Sequence, residues 1–455
     1  MAESSEAGSE ALGQLTAFEK YMVWDDHADA PMTPVVQVDF DSALDADDLH
    51  QAFDAALKRH PLLRARVSEA SGGLRWSPSH ELPQIEMGLP PTRYTPIDLH
   101  AQTGLRCWLA ERAHGKSLFL QWHHACCDGV GMRAFLIDLL LEYAEIRTGV
   151  SLAKTPNYSH EQLANRGDID GFRPKQAIGY LQKLRNAYYF HFQPPVALAC
   201  RAREQSTNEH LKESSESLGR LLTCEISGEH SRLMREKCRK NHISPNSVAL
   251  ALLFLQCDEW NKRLPGLQTG QRFRLLVPFD LRTSDCSQLS AANRMSFAFV
   301  GRTRRQIENA LGDFSAFAAG IHEEMQYNRN TMLPLDFLRG LELAARSPRA
   351  LKGLLAASNR MATAVLTYTG DVARGIGRKF PLASDGSVQI GDCRLLRIVA
   401  APPVRRNTHV AIGICQNWGK FLISAAVSDA FGLESGRAFL DEYQARWRDY
   451  ASRSG

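Results

Sequence analysis

A chain of 455 residues is too long for one ordinary core, so two large domains are expected. Its 44% hydrophobic and 23% charged content excludes disorder over most of the length, and a net charge of +4 gives no argument for nucleic acid. No run of about eighteen apolar residues is present to span a bilayer, which leaves peripheral membrane contact open, and ten scattered cysteines without a CxxC pair fit reduced thiols in the cytoplasm.

The opening "MAESSEAGSEALG" is polar and acidic, unlike a secretory or transit segment, and residues 1–14 read as a disordered leader. "PVVQVDF" at 34–40 alternates as a strand does. "DADDLHQAFDAALKR" then has acidic cap residues and places Leu49, Phe53, Ala56 and Leu57 on one helix face, with Pro61 as its stop. "GGLRWS" at 72–77 has hairpin chemistry, and "LRCWLAERAHGKSLFLQWHH" reads as two strands joined at His114 and Gly115.

From Val130 the period changes: "VGMRAFLIDLLLEYAEIRTG" predicts a buried helix ending at Gly149. Residues 150 to about 215 are polar, basic and proline-punctuated, a linker or lid with one helical piece around "PKQAIGYLQKLRNAYYFHF". A second half opens at "GRLLTCEIS" and continues through a charged helix to "ISPNSVALALLFLQCDEWNKR", a buried helix with Pro245 and Asn246 near its start. "RFRLLVPFDLR" and "RMSFAFVGRT" flank a serine-rich loop as strands, and "RQIENALGDFSAFAAGIHEEM" is helical. Further segments, "TAVLTYTGD", "CRLLRIVAAPP" and "HVAIGICQNWGKFLISAAVS", precede a final helix "GRAFLDEYQARWRDYASR". Strands and helices mix in both halves, which predicts α/β or α+β architecture twice over.

One stretch concentrates reactive side chains: "LFLQWHHACCDGVG", residues 118–131, at a strand-to-helix junction. Metal ligation is disfavoured because His123 and His124 are strand neighbours that project to opposite faces, with no second ligand pair at suitable spacing. Cys127 lies three residues from His124 near a helix start, as a nucleophile would, but Cys126 and Cys127 suit small apolar filling better. Alternation makes one histidine structural and turns the other to a cavity. Asp128 fixes the turn by a buried ion pair and caps the helix, and Gly129 gives close backbone approach. Together these favour a positioned general base.

"HHACCDG" has the form HHxxxDG and resembles the signature of the CoA-dependent acyltransferase and nonribosomal peptide condensation-domain superfamily. "LTAFEKYMVWDD" resembles the opening helix of these proteins and "LKRHPLLRARV" at 57–67 their RHPxLR segment. "LVPFDLR" resembles the strand whose arginine pairs with the motif aspartate, here Arg282 with Asp128. "SAANRMSF" resembles a loop of the GN type, "SPNSVALA" the helix segment of the wax ester synthase branch with Ser247 in place of its aspartate, and "LTYTGD" a segment near the tunnel. The DFGWG of the plant acyltransferases is absent, and the resemblance runs in order from about Leu15 to Trp447.

The resemblance implies two chloramphenicol-acetyltransferase-like domains, 15–180 and 216–455, joined by a linker at 181–215 and meeting as a V around a central tunnel. His124 is then the general base for transfer of an acyl group from an acyl-CoA or carrier-protein thioester to a hydroxyl or amine, such as one of a lipid or secondary metabolite. His123, Asp128, Gly129 and Arg282 support it, and Asn246, Thr367 and Thr369 are oxyanion or tunnel candidates. No cofactor or metal is expected beyond the acyl-CoA or acyl-phosphopantetheine co-substrate, and a cytoplasmic monomer is expected. A carrier-dependent condensation enzyme and a non-catalytic docking protein are the alternatives. Basic segments at 166–203 and 339–360 are candidates for a CoA-phosphate, carrier or membrane patch, against an ordinary solvated helix face.

Overall fold

The computed structural model describes residues 12–453 except 71–72, 92–94, 114, 153–155, 201–220, 264–269, 348–359 and 385–386. The expected leader, the turn at His114, the end of the linker and much of the 339–360 segment therefore fall wholly or partly outside the described residues.

The opening helix α1 (Ala17–Trp24) is closed by a capping box between Thr16 and Glu19. Strand β1 (Val35–Phe40) leads to α2 (Ala46–Arg59), where Asp45 accepts from the Asp48 amide and the predicted face of Leu49, Phe53, Ala56 and Leu57 is buried. After the hairpin β2 (Ala65–Ala70) and β3 (Gly73–Pro78) come β4 (Ile85–Met87), β5 (Leu105–Arg112) and β6 (Gly115–Trp122). Gly115 sits at φ +142°, and a Cβ there would meet the Phe40 carbonyl oxygen at 2.0 Å, so the β5–β6 turn requires glycine. The buried helix α3 (Gly129–Thr148) ends on Gly149 in the left-handed region and packs on α2 through Phe53 and Phe135, 5.7 Å between ring centres. Two further helices, α4 (His160–Ala164) and α5 (Tyr180–Phe192), punctuate the lid region.

The second half runs β7 (Leu221–Ile226), α6 (Gly228–Lys240), α7 (Pro245–Asn261), β8 (Arg272–Asp280) and β9 (Met295–Thr303). The single helix predicted from Arg305 divides into α8 (Arg304–Asn309) and α9 (Phe314–Thr331), because Asp313 accepts from the Ala316 amide and starts a new helix. Then follow α10 (Pro334–Ala345), β10 (Ala364–Asp371), α11 (Val372–Gly377), β11 (Val388–Ile390), β12 (Cys393–Ala401), β13 (Val410–Asn417), β14 (Lys420–Val427) and α12 (Leu433–Ser452). Trp418 and Gly419, both at positive φ, make the two-residue turn of the last hairpin.

Two six-stranded sheets result, in the orders β11-β12-β1-β6-β5-β4 and β7-β14-β13-β10-β8-β9. Strands β11 and β12 come from the second half of the sequence yet extend the first sheet, β12 pairing antiparallel with β1 from Val35↔Ala401 to Phe40↔Leu395. A boundary near 215 thus parts halves of the sequence but not the two sheets. Asn417 fastens the crossing: its amide donates to the Ile398 carbonyl and its Oδ1 accepts from the Ile398 amide. In the second sheet β10 pairs with β8 only at Ala364 and Val365, whereas it follows β13 from Val365 to Asp371. The two strands part beyond Val365.

Candidate active site

Strand β6 delivers the two histidines just past its last paired residue, Trp122. Their backbone is pinned from two sides: the His123 amide donates to the Gly104 carbonyl and the His124 amide to the Met32 carbonyl, both at 2.8 Å. The next amides close a turn, with Cys126 donating to the His123 carbonyl, and the Trp122 indole donates to the Cys127 carbonyl. The histidines lie beyond the strand itself, and they have different surroundings. His123 Nδ1 accepts from the Ala125 amide at 3.0 Å, so its proton is on Nε2, 3.7 Å from Asp26 Oδ2. Asp26 in turn holds the Met32 amide. His123 is thus a buried strut.

His124 is 9% exposed. Its Nδ1 is buried without a partner in regular hydrogen-bond geometry among the described residues, although the carbonyls of His124 and Cys127 lean on the ring. Burial pulls its pKa below the ordinary imidazole value, opposed by those carbonyls and the Asp128 charge, so the ring is neutral near pH 7.

Asp128 caps α3: Oδ1 accepts from the Gly131 amide at 2.8 Å. Oδ2 accepts from Arg282 Nη1 and from the Arg294 amide, each at 2.8 Å. Burial alone would raise this carboxyl, but the Arg282 guanidinium and the two amides outweigh it and hold the group below its ordinary value. The close backbone approach expected of Gly129 lies instead at Gly131. A Cβ on Gly129 would meet nothing within 4 Å, whereas one on Gly131 would meet the amide nitrogen and carbonyl oxygen of Ala292 at 2.9 Å. The helix turns Gly131 toward the second half and Gly129 away from it.

The partner in that approach is the end of the serine-rich loop, and four consecutive residues of it grip the first half. The Ala291 amide donates to His60 Nδ1 at 3.0 Å; Ala292 accepts from the Asp128 amide and from Arg282 Nη2; Asn293 Nδ2 donates to the carbonyls of His124 at 2.6 Å and Ala125 at 2.9 Å; the Arg294 amide takes Asp128. His60 is fully buried and its Nε2 faces Asp138 of α3 at 3.1 Å, so "RHP" ties α2, α3 and this loop together. Sequence reasoning did not single out His60 or Asn293 as site residues. Their signal was the "LKRHPLLRARV" and "SAANRMSF" segments that carried the resemblance.

Other candidates lie elsewhere. Asn246 is in the first turn of α7 and Thr367 lies in β10 two residues beyond the parting from β8, and among the described residues the buried Asn246 Oδ1 and Thr367 Oγ1 have no hydrogen-bond partner. Thr369 donates to the Ile414 carbonyl at 3.3 Å. Among the described residues no hydrogen bond joins these three to the 123–131 loop. Cys126 and Cys127 are fully buried with thiols pushed up by burial, the opposite of an activated nucleophile. In the basic segment Arg166 is not at the surface: it is 3% exposed and paired with Glu19 at 2.6 Å, and Glu19 also accepts from the Trp76 indole. A cleft lined by Thr16, Phe18, Arg166, Asn293, Arg294 and Glu342 adjoins the gripping loop.

No family model and no curated protein matches the sequence. Solved structures are similar along nearly the whole chain. The first condensation domain of the CDA synthetase has a TM-score of 0.66 at 13% identity, over 98% of this chain and 97% of its own. Polyketide synthase associated protein 5 from Mycobacterium tuberculosis has 0.60 at 16% identity, over 98% and 99%. A starter condensation domain of rhizomide synthetase, in complex with C8-CoA and Leu-SNAC, has 0.64 at 12% identity, over 98% and 96%. The chain therefore has the mixed α/β fold of the condensation domains, the architecture of two chloramphenicol-acetyltransferase-like lobes. The HHxxxDG segment occupies the junction where the second half grips the first.

Proposed function

We propose that this chain is an acyltransferase that moves an acyl group from a CoA or carrier-protein thioester to a hydroxyl or amine, with His124 as general base. The observation that carries the reading is a buried His124, its pKa held down by burial, on a loop that Asp128–Arg282 and Asn293 fasten. With Nδ1 buried, this reading takes Nε2 as the nitrogen that acts. Nε2 takes the proton of the acceptor O–H or N–H as that atom bonds to the thioester carbonyl carbon. The tetrahedral oxyanion collapses, the C–S bond breaks, and the imidazolium returns its proton to the leaving thiolate. No acyl-enzyme forms, in keeping with buried cysteines whose thiols are pushed away from ionisation.

His123, Asp128 and Arg282 position this base. The two lobes, taken as 15–180 and 216–455 with a linker between, enclose a tunnel in this reading, and the parting of β10 from β8 near Thr367 supports a route for one substrate. Thr367 is the hydroxyl this reading sets along it, with Thr369 and Asn246 kept as further oxyanion or tunnel candidates. That a protein of the same fold holds C8-CoA supports the thioester donor.

Product detection by mass spectrometry, with thiol release followed in parallel, tests the reading for the wild-type protein and His124→Ala given acyl-CoAs and pooled alcohol, amine and lipid acceptors. A new ester or amide that requires His124 supports it. If free acyl-CoA is inert and acylated carrier protein is turned over, the donor is carrier-bound. Turnover by His124→Ala equal to wild type rejects the base assignment.

A further inference from the structure

Helix α5 (Tyr180–Phe192) carries large apolar side chains on its outer side. At about 100° per residue, Gln182, Asn186, Tyr189 and Phe190 fall on one side, and this side faces the protein. Arg274 donates to the carbonyls of Tyr189 at 2.6 Å and Gln193 at 3.0 Å, the Arg272 guanidinium lies over the Tyr189 ring, and Phe190 packs on Phe299 with ring centres 4.9 Å apart. The opposite side, which a solvated helix would fill with polar groups, holds Tyr180, Leu181, Leu184, Tyr188 and Phe192. They are 74%, 80%, 49%, 54% and 72% exposed, and Tyr188 and Phe192 stack on each other outside the protein. Gln182 and Asn186 share the inner side with Tyr189 and Phe190, while five further aromatic and aliphatic side chains face outward, which is unfavourable in water unless something covers the outer face.

Charge identifies the cover. Lys183 and Arg185 flank the apolar arc on either side, Arg173 and Lys175 precede the helix, all four are exposed, and no aspartate or glutamate occurs from 171 to 203. Aromatic and aliphatic groups on one face with cations at its margins match the headgroup boundary of an anionic bilayer, where rings enter the acyl edge and ammonium and guanidinium groups meet phosphates.

We propose that α5 is a lipid-docking face that seats the protein on anionic membranes. It rides on β8 and β9, and β9 begins directly after the 291–294 loop that grips the His124 turn, so a docked membrane lies against the sheet edge that leads to the site. The proposal does not depend on the acyl-transfer reading.

Flotation of the full-length protein with vesicles of phosphatidylcholine alone, or of phosphatidylcholine and phosphatidylglycerol in equal parts, tests it. Wild type floats with the anionic vesicles and releases as salt is added. The exposed-residue variant Leu181→Ser/Phe192→Ser loses binding by roughly ten-fold or more. The variant Lys183→Glu/Arg185→Glu loses at least about 25-fold on anionic vesicles, about 1 kcal/mol or five-fold for each cation removed. Unchanged thermal melting of both variants shows that they fold. Wild-type protein that floats with neither vesicle, or variants that float as wild type does, overturns the proposal. So does sedimentation showing wild-type dimers that Leu181→Ser/Phe192→Ser abolishes, or saturable binding of an acidic carrier protein to this face with no vesicle binding.

Discussion

Arg282 and Asp128 are 154 residues apart in sequence and 2.8 Å apart in the structure, and both are largely buried. The pair is the electrostatic fastening between the segment just after strand β8 of one half and the helix start of the other. Removing one partner strands the other charge. Arg282→Met is expected to cost about 3–5 kcal/mol in urea unfolding, and the double change Asp128→Asn/Arg282→Met distinctly less than the sum of the two single changes. A single-variant loss under about 0.5 kcal/mol would show the pair to be incidental.

Among the described residues His124 caps no helix and its Nδ1 has no hydrogen-bond partner. His124→Ala should therefore unfold at nearly the wild-type denaturant midpoint while thiol release from the acyl donor falls about 10²- to 10⁴-fold. A large stability loss with the residual rate intact would assign the ring to packing instead.

The pH dependence has two parts. Because the His124 pKa is depressed, the base is neutral and active at pH 7, and the rate should fall only as pH drops below the ordinary imidazole range. Stability follows a different order. His60 and His124 are both depressed by burial, so the unfolded chain takes up their protons first and stability declines from the ordinary imidazole value down to the folded values. Asp128 is also depressed; its contribution is complete above the ordinary carboxylate value and is lost as pH falls through the folded one. Urea midpoints measured across this range should lose the carboxylate step in Asp128→Asn, and a rate profile centred above the ordinary imidazole value would contradict the assignment of His124.

Two glycines in the same helical turn make opposite predictions. Gly131→Ala drives a methyl into the Ala292 backbone and should destabilise by about 1–3 kcal/mol, with turnover reduced as the loop shifts. Gly129→Ala meets open space and should be neutral or slightly stabilising, since alanine favours helix by about 1 kcal/mol. Equal losses from both would point to backbone freedom at the helix start and away from close approach.

Asn293 Nδ2 serves two carbonyls, those of His124 and Ala125. Asn293→Ala leaves both buried without that donor and should cost about 1–3 kcal/mol. Because the turn carries His124, kcat should fall more than KM rises. An effect confined to KM would place Asn293 in substrate binding only.

Much of this fold is legible in residue order. The face of Leu49, Phe53, Ala56 and Leu57, the alternation leading into Trp122, the Asp128 cap and the Gly149 stop are local patterns of period and capping, which act over a few residues. The chemistry-bearing segment was conspicuous for a similar reason: its histidines, aspartate and glycines are contiguous. The apolar outer side of α5 is written in the sequence as well, but a reader of sequence sees only a mixed helix until the direction of the protein is known.

Tertiary structure decided the rest. Which glycine touches a backbone depends on the rotation of α3 against the 291–294 loop, a contact between residues more than 150 positions apart, and local spacing carries no term for it. The entry of β11 and β12 into the first sheet, the roles of His60 and Asn293, and the burial of Arg166 against Glu19 are likewise long-range pairings. Sequence determined which elements form because helix and strand periodicity is set by neighbours a few residues away. Only packing determined which side chains meet, because burial and hydrogen-bond satisfaction are properties of the whole assembled core.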